Sequence, residues 1–581
     1  GLRATRVVHL QLGDFQKHRR ILDDYNSHLE RATGSMPSLK LSFPSVSRWM
    51  LLLFVGVLMA PVLSVVSAWL PMGEGADAAM AILREMASTV LPDYVGTTLL
   101  LCGLVTLGVA LVGLSTAVAV TLFEFPGRRF WEWALLLPLA MPAYVVAYAY
   151  TDFLQFSGPL QTGLRSVFGL QGRVFPEIRN VLGAAWVFTF TLYPYVYLLA
   201  RTALGERTVH LMEAARLMGA PLRRRLREVA LPLARPAVAA GVALALMETL
   251  ADFGVSSYFG IQTFTAGIYK AWLSMDNRIA AAQLATLLLI LVALLLGLER
   301  RAQRRMRFAV TKGARAGSAD AQAVRLQGHR VVAVWLLCLL PVVMGFVAPV
   351  LFMLKPLMAE WTQQPWPRFI EWTLNSVRLG AITAALAVGV ALLLAFSARR
   401  SAHWTTRVAT QLAGLGYAVP GAVVVVGLLL PVGWLQSWAP DWQLGYWVTA
   451  TVIGIVWAYL VRFCAVALQS LQSGYARLPL SLDDSARMLG ASGAQTLARV
   501  HWPLLRRSVA AAALLVFVDV MKELPATLVL RPFNSDTLAV VAYQLARDER
   551  LGEAALPCLA LVLVGLIPVI LLNRTLRTSA R

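Results

Sequence analysis

The 581-residue sequence predicts an all-α protein that crosses a lipid bilayer about twelve times. Hydrophobic residues make up 58% of the chain and charged residues 14%, whereas soluble domains carry about 25% charged residues. A surface with so few charges cannot face water everywhere, so most of it faces lipid. Twelve stretches supply the roughly 20 mostly apolar residues that one helix needs to cross a bilayer. They lie at about 49–70, 97–123, 131–151, 181–200, 236–251, 280–298, 331–354, 374–397, 408–432, 448–468, 509–530 and 555–573.

The positions of the basic residues predict how these spans are oriented. The chain carries 52 Lys and Arg against 31 Asp and Glu, a net charge of +21 that can by itself suggest nucleic acid. If residues 1–48 are cytoplasmic, 38 of the 52 basic residues fall in segments on that side and 11 on the other. Because membrane proteins concentrate Lys and Arg in cytoplasmic loops, we expect both termini inside, contact with anionic membrane lipid, and no nucleic-acid partner.

Several kinds of chemical site have no signature in this sequence. None of the six lysines follows a glycine, so the phosphate-binding P-loop of ATPases is absent. All seven histidines lie in predicted cytoplasmic segments, and the four cysteines lie in spans without metal-ligand spacing. We therefore expect no catalytic residue, no metal site and no cofactor bound by this chain, and we expect that it is not an enzyme.

Two predicted cytoplasmic segments repeat each other at an offset of 271 residues. One reads EAARLMGAPLRRRLREVALP (213–232) and the other reads DSARMLGASGAQTLARVHWP (484–503). Each lies between the fourth and fifth span of a six-span set, so the two halves enter the membrane in the same sense and are related by an axis along the membrane normal. The predicted organisation is a cytoplasmic tail 1–48, a first half 49–310, a linker 311–330 and a second half 331–581.

Each repeated loop, 205–235 and 476–508, is predicted to form two short helices joined at a glycine. Acidic residues near the helix start favour the helix dipole, and glycine suits the left-handed end of a helix. Alanines keep one face small, so that another helix or domain can approach closely. The loops are either docking surfaces or ordinary interfacial segments, and two copies with identical spacing favour docking. The residues assigned to docking are Glu213, Ala214, Ala215, Gly219 and Pro232 in the first loop, and Asp484, Ser485, Ala486, Gly490 and Pro503 in the second.

These segments resemble the EAA loop of ATP-binding-cassette (ABC) importer permeases, in which E-A-A is followed by G and later by L-P. The first copy matches closely, and the second retains its Ala, Gly and Pro. The resemblance covers about residues 49–575 and implies two tandem six-helix MetI-like halves in a bacterial inner membrane. It further implies that each loop forms a coupling helix on one of two cytoplasmic ATPase subunits, which use ATP, and that a periplasmic binding protein delivers the substrate.

Three strings resemble the ferric-iron branch of these permeases: METLADFGV (247–255), TFTAGIYKAW (263–272) and KELPATLVLRPFNSDTLAV (522–540). Permeases for thiamine, phosphonate or polyamine share the fold and the loop, so these substrates remain alternatives. A secondary transporter driven by an ion gradient and a membrane scaffold are the rival classes. The twin loops count against the secondary transporter, because it needs no ATPase dock.

Charged side chains near the ends of two spans form the second candidate site. Glu248 and Asp252 are four residues apart and share a helix face, as do Asp519 and Glu523, with Lys522 beside them. An ionised residue at the centre of a bilayer costs about 2.5–3.5 kcal/mol, so these groups face the protein interior or water. They either line a translocation path or gate, or form a structural network of Lys522 with a neighbouring carboxylate. Two tyrosine pairs are expected to pack rather than to line a cavity: Tyr144 with Tyr148, and Tyr193 with Tyr197.

Overall fold

The computed structural model describes residues 45–67, 69, 75–311, 324–401 and 403–578. The described chain is almost wholly helical, which confirms the predicted all-α fold. The first set of helices is α1 Ser45–Ser67, α2 Gly75–Ser88, α3 Leu91–Leu122, α4 Arg128–Ala134, α5 Ala143–Leu154, α6 Pro159–Phe168, α7 Val181–Ala203, α8 Glu206–Leu217, α9 Leu222–Arg225, α10 Leu231–Ala251, α11 Gly254–Tyr258, α12 Phe264–Tyr269 and α13 Arg278–Thr311. The second set is α14 His329–Val342, α15 Ala348–Ala359, α16 Trp366–Arg400, α17 Trp404–Leu415, α18 Gly421–Trp438, α19 Leu444–Thr449, α20 Val452–Tyr475, α21 Ser481–Met488, α22 Gly493–Gln495, α23 Trp502–Lys522, α24 Pro525–Leu530, α25 Leu538–Arg547 and α26 Leu551–Thr578.

Short segments of other geometry complete the described backbone. The 3₁₀ turns are Leu137–Ala140, Trp361–Gln363, Gly416–Ala418 and Pro440–Trp442, and the π segments are Leu226–Ala230, Lys270–Ser274, Val343–Val347 and Thr496–His501. Two strands of two residues, Phe123–Glu124 and Val324–Arg325, pair in parallel. The predicted tail 1–48 and linker 311–330 lie outside the described residues except at 45–48, 311 and 324–330.

The number of membrane spans is consistent with the sequence prediction. Among the described residues, ten helices are long and apolar enough to cross a membrane, or eleven when a pair of helices bent by 89° counts as one span. Helix α23 is 21 residues long but contains Arg506, Arg507, Asp519 and Lys522, so it is too charged to be recognised by composition. It is the repeat equivalent of α10, which lies within one of the recognised spans.

Two of the predicted spans, 131–151 and 408–432, are broken helices rather than single continuous ones. Each consists of a first helix, a 3₁₀ turn and a second helix that begins directly after a proline. Pro142 and Pro420 have nearly the same extended backbone, with ψ of 138° and 142°. Proline cannot donate a helical hydrogen bond, so it is favoured where a new helix begins. Non-helical backbone at membrane depth is stable where it is buried in protein or lines a cavity.

The internal repeat extends from the sequence to the helix boundaries. Shifting α10 by 271 residues reproduces the bounds of α23, and the same shift brings the start of α7 onto the start of α20. Gly219 and Gly490 have φ of 83° and 78°, which confirms the predicted left-handed ends of the loop helices. In both loops a π segment then leads directly into the next long helix.

Helices α7 and α10 approach most closely at a glycine. A Cβ atom on Gly241 would lie 2.6 Å from the Cα of Val196, which is backbone and cannot rotate away. The repeat equivalent of Gly241 is Ala512, whose side chain is fully buried. The first half is therefore packed more tightly at this crossing than the second.

The second loop is anchored by a cluster of buried polar groups. Asp483 on α21 is 6% exposed, and its Oδ2 accepts hydrogen bonds from Arg399 Nε at 2.8 Å and Nη2 at 2.6 Å. The Nε2 atom of His501 lies 3.0 Å from Asp483 Oδ1, and Tyr475 Oη lies 3.3 Å from His501 Nδ1. Arg399 also donates to the backbone oxygen of Leu478 at 3.1 Å. The end of α16 thus holds the second loop in place.

The first loop has apolar residues at the positions equivalent to Asp483 and His501. These are Met212 and Ala230, both buried. A hydrogen bond of 3.4 Å joins Arg225 Nη1 to the backbone oxygen of Met212. At this pair of positions, one loop therefore has ionisable side chains and the other has apolar ones.

Replacing Gly241 by Ala should destabilise the protein, because the added methyl group meets backbone across the α7–α10 crossing. Overpacking of this kind costs about 1–3 kcal/mol, so the melting temperature of the detergent-purified protein should fall. Gly297→Ala is the matched control, since a Cβ there has no neighbour within 4 Å. Equal melting temperatures for the two variants would contradict the close packing at Gly241.

Acid should loosen the second loop. Burial lowers the pKa of His501 below its usual value of 6.5; Asp483 opposes this, and Arg399 and Arg400 add to it. The unfolded loop consequently binds a proton more readily than the folded one, so the anchor loses stability as the pH falls below about 6.5. Amide hydrogen exchange over 481–489, corrected for the intrinsic rate, should rise between pH 7.5 and 5.5.

The control for this experiment is His501→Ala, which carries alanine where the first loop has Ala230. This variant should abolish the pH dependence over 481–489. An unchanged pH dependence in His501→Ala would contradict the anchoring role of His501.

Candidate functional site

The two repeated loops present matching apolar tips. Leu217 and Met218, the last residues before Gly219, are 85% and 80% exposed. Met488 and Leu489, at the equivalent positions, are 89% and 88% exposed. Exposed apolar side chains of this kind are typical of surfaces that contact another protein or the membrane.

The alanines assigned to docking do not share one role. Ala215 and Ala486 are 8% and 7% exposed, so their small side chains serve the packing of each loop against its own chain. Their assignment to the docking face stays a prediction. Ala214 and Ser485 are exposed and remain available to a partner.

The other assigned loop residues lie at the surface or close to it. Glu213 is half-buried, and Asp484 is exposed and lies 3.5 Å from Arg487. Pro232 and Pro503 are exposed in the first turn of α10 and of α23, where proline needs no hydrogen-bond donor. Each loop is thus continuous with a long helix that leads into the membrane.

A cavity of about 210 Å³ lies at the far ends of these two helices, between elements of both halves. It brings together all five charged residues that the sequence analysis assigned to a path or gate. Glu248 lies on α10 and Asp252 directly follows that helix, whereas Asp519 and Lys522 lie on α23 and Glu523 directly follows it. The breaks after Pro142 and Pro420 also border the cavity, because Leu139 and Tyr417 in the preceding 3₁₀ turns line its wall.

Glu248 and Asp519, which are repeat equivalents, form the open polar part of this cavity. Tyr417 donates a hydrogen bond of 2.8 Å to Glu248 Oε1, and Tyr195 lies beside Tyr417 and both carboxylates. No basic group of the described residues lies within 4.0 Å of either carboxylate. Lys522 interacts with Asp519 only at longer range and donates to the backbone oxygen of Leu139 at 3.3 Å. The predicted network between Lys522 and a neighbouring carboxylate is therefore absent from the described contacts.

Asp252 and Glu523, the other equivalent pair, hold the backbone that follows them. Asp252 Oδ1 accepts a hydrogen bond of 2.8 Å from the backbone N–H of Val255. Glu523 is 5% exposed, accepts from the N–H groups of Ala526 and Thr527 at 3.0 Å, and pairs with Arg462 at 2.9 Å. Both carboxylates satisfy the unpaired N–H groups at the start of the next short helix.

The sequence analysis missed three residues of the cavity: Tyr195, Tyr417 and Arg462. Tyr193 and Tyr197 donate to the backbone oxygens of Leu135 and Glu132, which confirms their packing role. Tyr195 lies between them on α7 and faces the opposite way. Its position two residues from each partner was the available signal, because neighbours at that spacing do not share a helix face.

The expectation for the other tyrosine pair was half right. Tyr148 is fully buried and packs edge to face against Tyr258, with ring centroids 4.6 Å apart. Tyr144 lines the cavity, and its hydroxyl donates to the backbone oxygen of Lys522 at 3.3 Å. The close approach of Gly254 to the Tyr144 side chain explains this orientation, because any larger residue would collide with it.

Chemically, the cavity offers oxygen atoms to a positively charged species. Two carboxylates and two phenols face it without a basic partner in contact, and such oxygens suit hard cations. Among the described residues, no three His, Cys, Asp or Glu side chains converge with metal-ligand geometry. The arrangement therefore suits transient contact, since a route of passage must release what it binds.

Comparison with known proteins places the chain in a family. The family model described as "Binding-protein-dependent transport system inner membrane component" matches twice, over residues 109–308 and 387–580. Each match contains one repeated loop and the long helix that follows it.

Relatives align over most of the chain. A protein named "Fe(3+)-transport system permease protein FbpB 2" from Haemophilus influenzae is 25% identical, covering 83% of this chain and 90% of that protein. "Probable ABC transporter permease protein y4fN" from Sinorhizobium fredii is 26% identical, covering 81% and 85%. "Ferric transport system permease protein FbpB" from Actinobacillus pleuropneumoniae is 23% identical, covering 81% and 68%. The chain, a multi-pass membrane protein with two tandem copies of the family model, belongs to the binding-protein-dependent transport system inner membrane component family.

Proposed function

We propose that this chain supplies both membrane-spanning halves of an ATP-driven importer of ferric iron. The observation that carries the proposal is the pair of loops with exposed apolar tips, each continuous with a helix that ends at a cavity carboxylate. Two relatives named for ferric or Fe(3+) transport support iron as the cargo. The oxygen-rich cavity fits that class of ion better than an anionic substrate.

In this proposal the loops are coupling helices, and α10 and α23 connect them to the cavity. A helix of 21 residues spans about 30 Å at 1.5 Å per residue, which is the thickness of the hydrocarbon core. When two ATPase subunits close, the loops move with them. Because each loop enters its long helix without an intervening coil, the movement reaches Glu248 and Asp519 at the other end.

The chain itself supplies a route and two docking loops, and its partners supply energy and cargo. Two copies of a cytoplasmic ATPase bind and hydrolyse ATP, so the permease needs no cofactor and performs no catalysis. A periplasmic binding protein delivers the ion on the opposite side. The chain lies in a bacterial inner membrane with both termini in the cytoplasm, as the distribution of basic residues indicates.

Charging the loop tips should detach the ATPase. The double variants Leu217→Asp/Met218→Asp and Met488→Asp/Leu489→Asp each remove two apolar side chains that the partner would bury. Burial of one such side chain contributes about 1.5–3 kcal/mol, so affinity should fall roughly 100-fold or more at each loop. Co-purification of the ATPase with the tagged permease measures the effect.

Phe533→Asp is the matched control, because Phe533 is an apolar residue that is 93% exposed and lies outside both loops. This variant should retain the ATPase. A variant that combines all four substitutions tests both loops at once. If it still co-purified with a full complement of ATPase, the proposed docking role of the tips would be wrong.

Neutralising the cavity carboxylates should slow uptake without dismantling the complex. Glu248→Gln and Asp519→Asn keep the side-chain shape but remove the negative charge opposite a permeating cation. Each negative charge should stabilise a cation in the cavity by about 1.4–3 kcal/mol. Uptake of radiolabelled Fe³⁺ should therefore fall roughly 10- to 100-fold. Uptake is measured in proteoliposomes with binding protein and ATP.

Asp441→Asn, at an exposed position, serves as the control and should transport like the wild type. Asp252→Asn and Glu523→Gln should instead reduce the yield of folded protein, because these carboxylates hold backbone N–H groups. Normal uptake by both cavity variants would show that the ion does not pass these residues.

A further inference from the structure

A groove of about 880 Å³ lies between α3, α10 and α13, away from the cavity. Its walls are almost entirely aliphatic, with Leu114, Val242 and Leu295 among the residues that line it. Leu298, also in the lining, is 62% exposed, so the groove opens to the outside of the chain. Since all three helices lie within recognised spans, this opening faces the membrane.

Two arginines stand at one end of the groove. Arg235 is in the first turns of α10, at the end of the first loop, and Arg301 is near the end of the span Arg278–Ala302 in α13. Both are exposed, and no carboxylate of the described residues lies within 4.0 Å of either guanidinium. None of the described residues that line the groove is acidic. An apolar slot thus ends in two positive charges on the side of the membrane where the loops lie.

The second half carries larger side chains at the equivalent positions. Leu231 and Leu246 of the groove correspond to Trp502 and Phe517. The ring of Phe517 packs against α16, because a Cβ on Gly380 would lie 2.9 Å from its Cδ2 atom. The open groove is therefore a feature of the first half's own sequence and is not a consequence of the shared fold.

We propose that this groove binds one anionic phospholipid, with its acyl chains along the aliphatic walls and its phosphate between Arg235 and Arg301. Basic pockets between spanning helices at the cytoplasmic side of a membrane attract anionic head groups. Guanidinium groups also match phosphate oxygens with paired hydrogen bonds. The two positive charges at the end of the groove match the phosphate of the head group, and the aliphatic walls match the acyl chains.

The position of the site gives the lipid a mechanical role. It bridges α10 and α13 directly behind the first loop, on the helix that connects this loop to Glu248. A bound lipid would fix the base of the first loop, where Met212 and Ala230 stand in place of Asp483 and His501. The proposal concerns lipid binding only, and its test does not depend on the identity of the transported substrate.

The experiment is native mass spectrometry of the full-length permease in detergent with added palmitoyl-oleoyl phosphatidylglycerol or phosphatidylcholine. The wild type should retain one phosphatidylglycerol in preference to phosphatidylcholine. The variant Arg235→Gln/Arg301→Gln should bind it roughly 30-fold more weakly, since each basic residue near an anionic head group contributes about fivefold. Ala239→Trp, which fills the exposed groove wall but keeps both arginines, should also lose the lipid.

Arg506→Gln is the matched control, because Arg506 is exposed and is the repeat equivalent of Arg235. It should retain phosphatidylglycerol like the wild type. The proposal is overturned if the double arginine variant retains phosphatidylglycerol as the wild type does, or if phosphatidylcholine binds equally well. It is also overturned if glycerol 3-phosphate displaces the lipid at equal concentration, because the site would then recognise a phosphate alone.

Discussion

A carboxylate just beyond the end of each repeated long helix is the constraint on which the rest of the structure depends. Asp252 and Glu523 occupy equivalent positions, and each binds the N–H groups that open the next short helix. At membrane depth no water replaces a missing hydrogen bond, so these carboxylates fix where the long helix stops and how the chain turns. The position of this turn also fixes the distance between the loop at one end of the long helix and the cavity at its other end.

Symmetry then decides which charges can meet. The same repeat that places Asp252 opposite Glu523 also places Glu248 opposite Asp519, one helical turn back along each helix. A perfect twofold arrangement would bring two unpaired carboxylates together, and like charges in contact are unfavourable. The chain departs from symmetry where this matters: Tyr417 binds Glu248, whereas Lys522 approaches Asp519 only at longer range. The cavity is consequently polar and acidic, and among the described contacts only one of its four carboxylates, that of Glu523, lies within 4.0 Å of a basic group.

Most of the architecture could be predicted from the sequence because it depends on local patterns. Apolar stretches identified the spans, and the 271-residue repeat identified the two loops and their glycine ends. Partners that lie far apart in the chain could not be predicted. Arg462 lies 61 residues from Glu523, and nothing near either residue marks them as a pair. The cavity position of Tyr195 was missed for a related reason. Tyr195 and Tyr193 lie on the same helix and differ only in the direction in which their side chains point.

The two loops also differ in the residues that hold them against the rest of the chain. Both present an apolar tip of the same size, so both can engage the same kind of partner. Behind the tip, however, the first loop rests on Met212 and Ala230, while the second is tied by Asp483 to Arg399 and approached by His501. Polar clusters are directional and apolar packing is not, so we expect the second loop to be held in one orientation more firmly than the first. Because both loops belong to one chain, each can change in sequence independently, and the difference can persist. In a transporter built from two copies of one subunit, both loops would have the same sequence and therefore the same anchor.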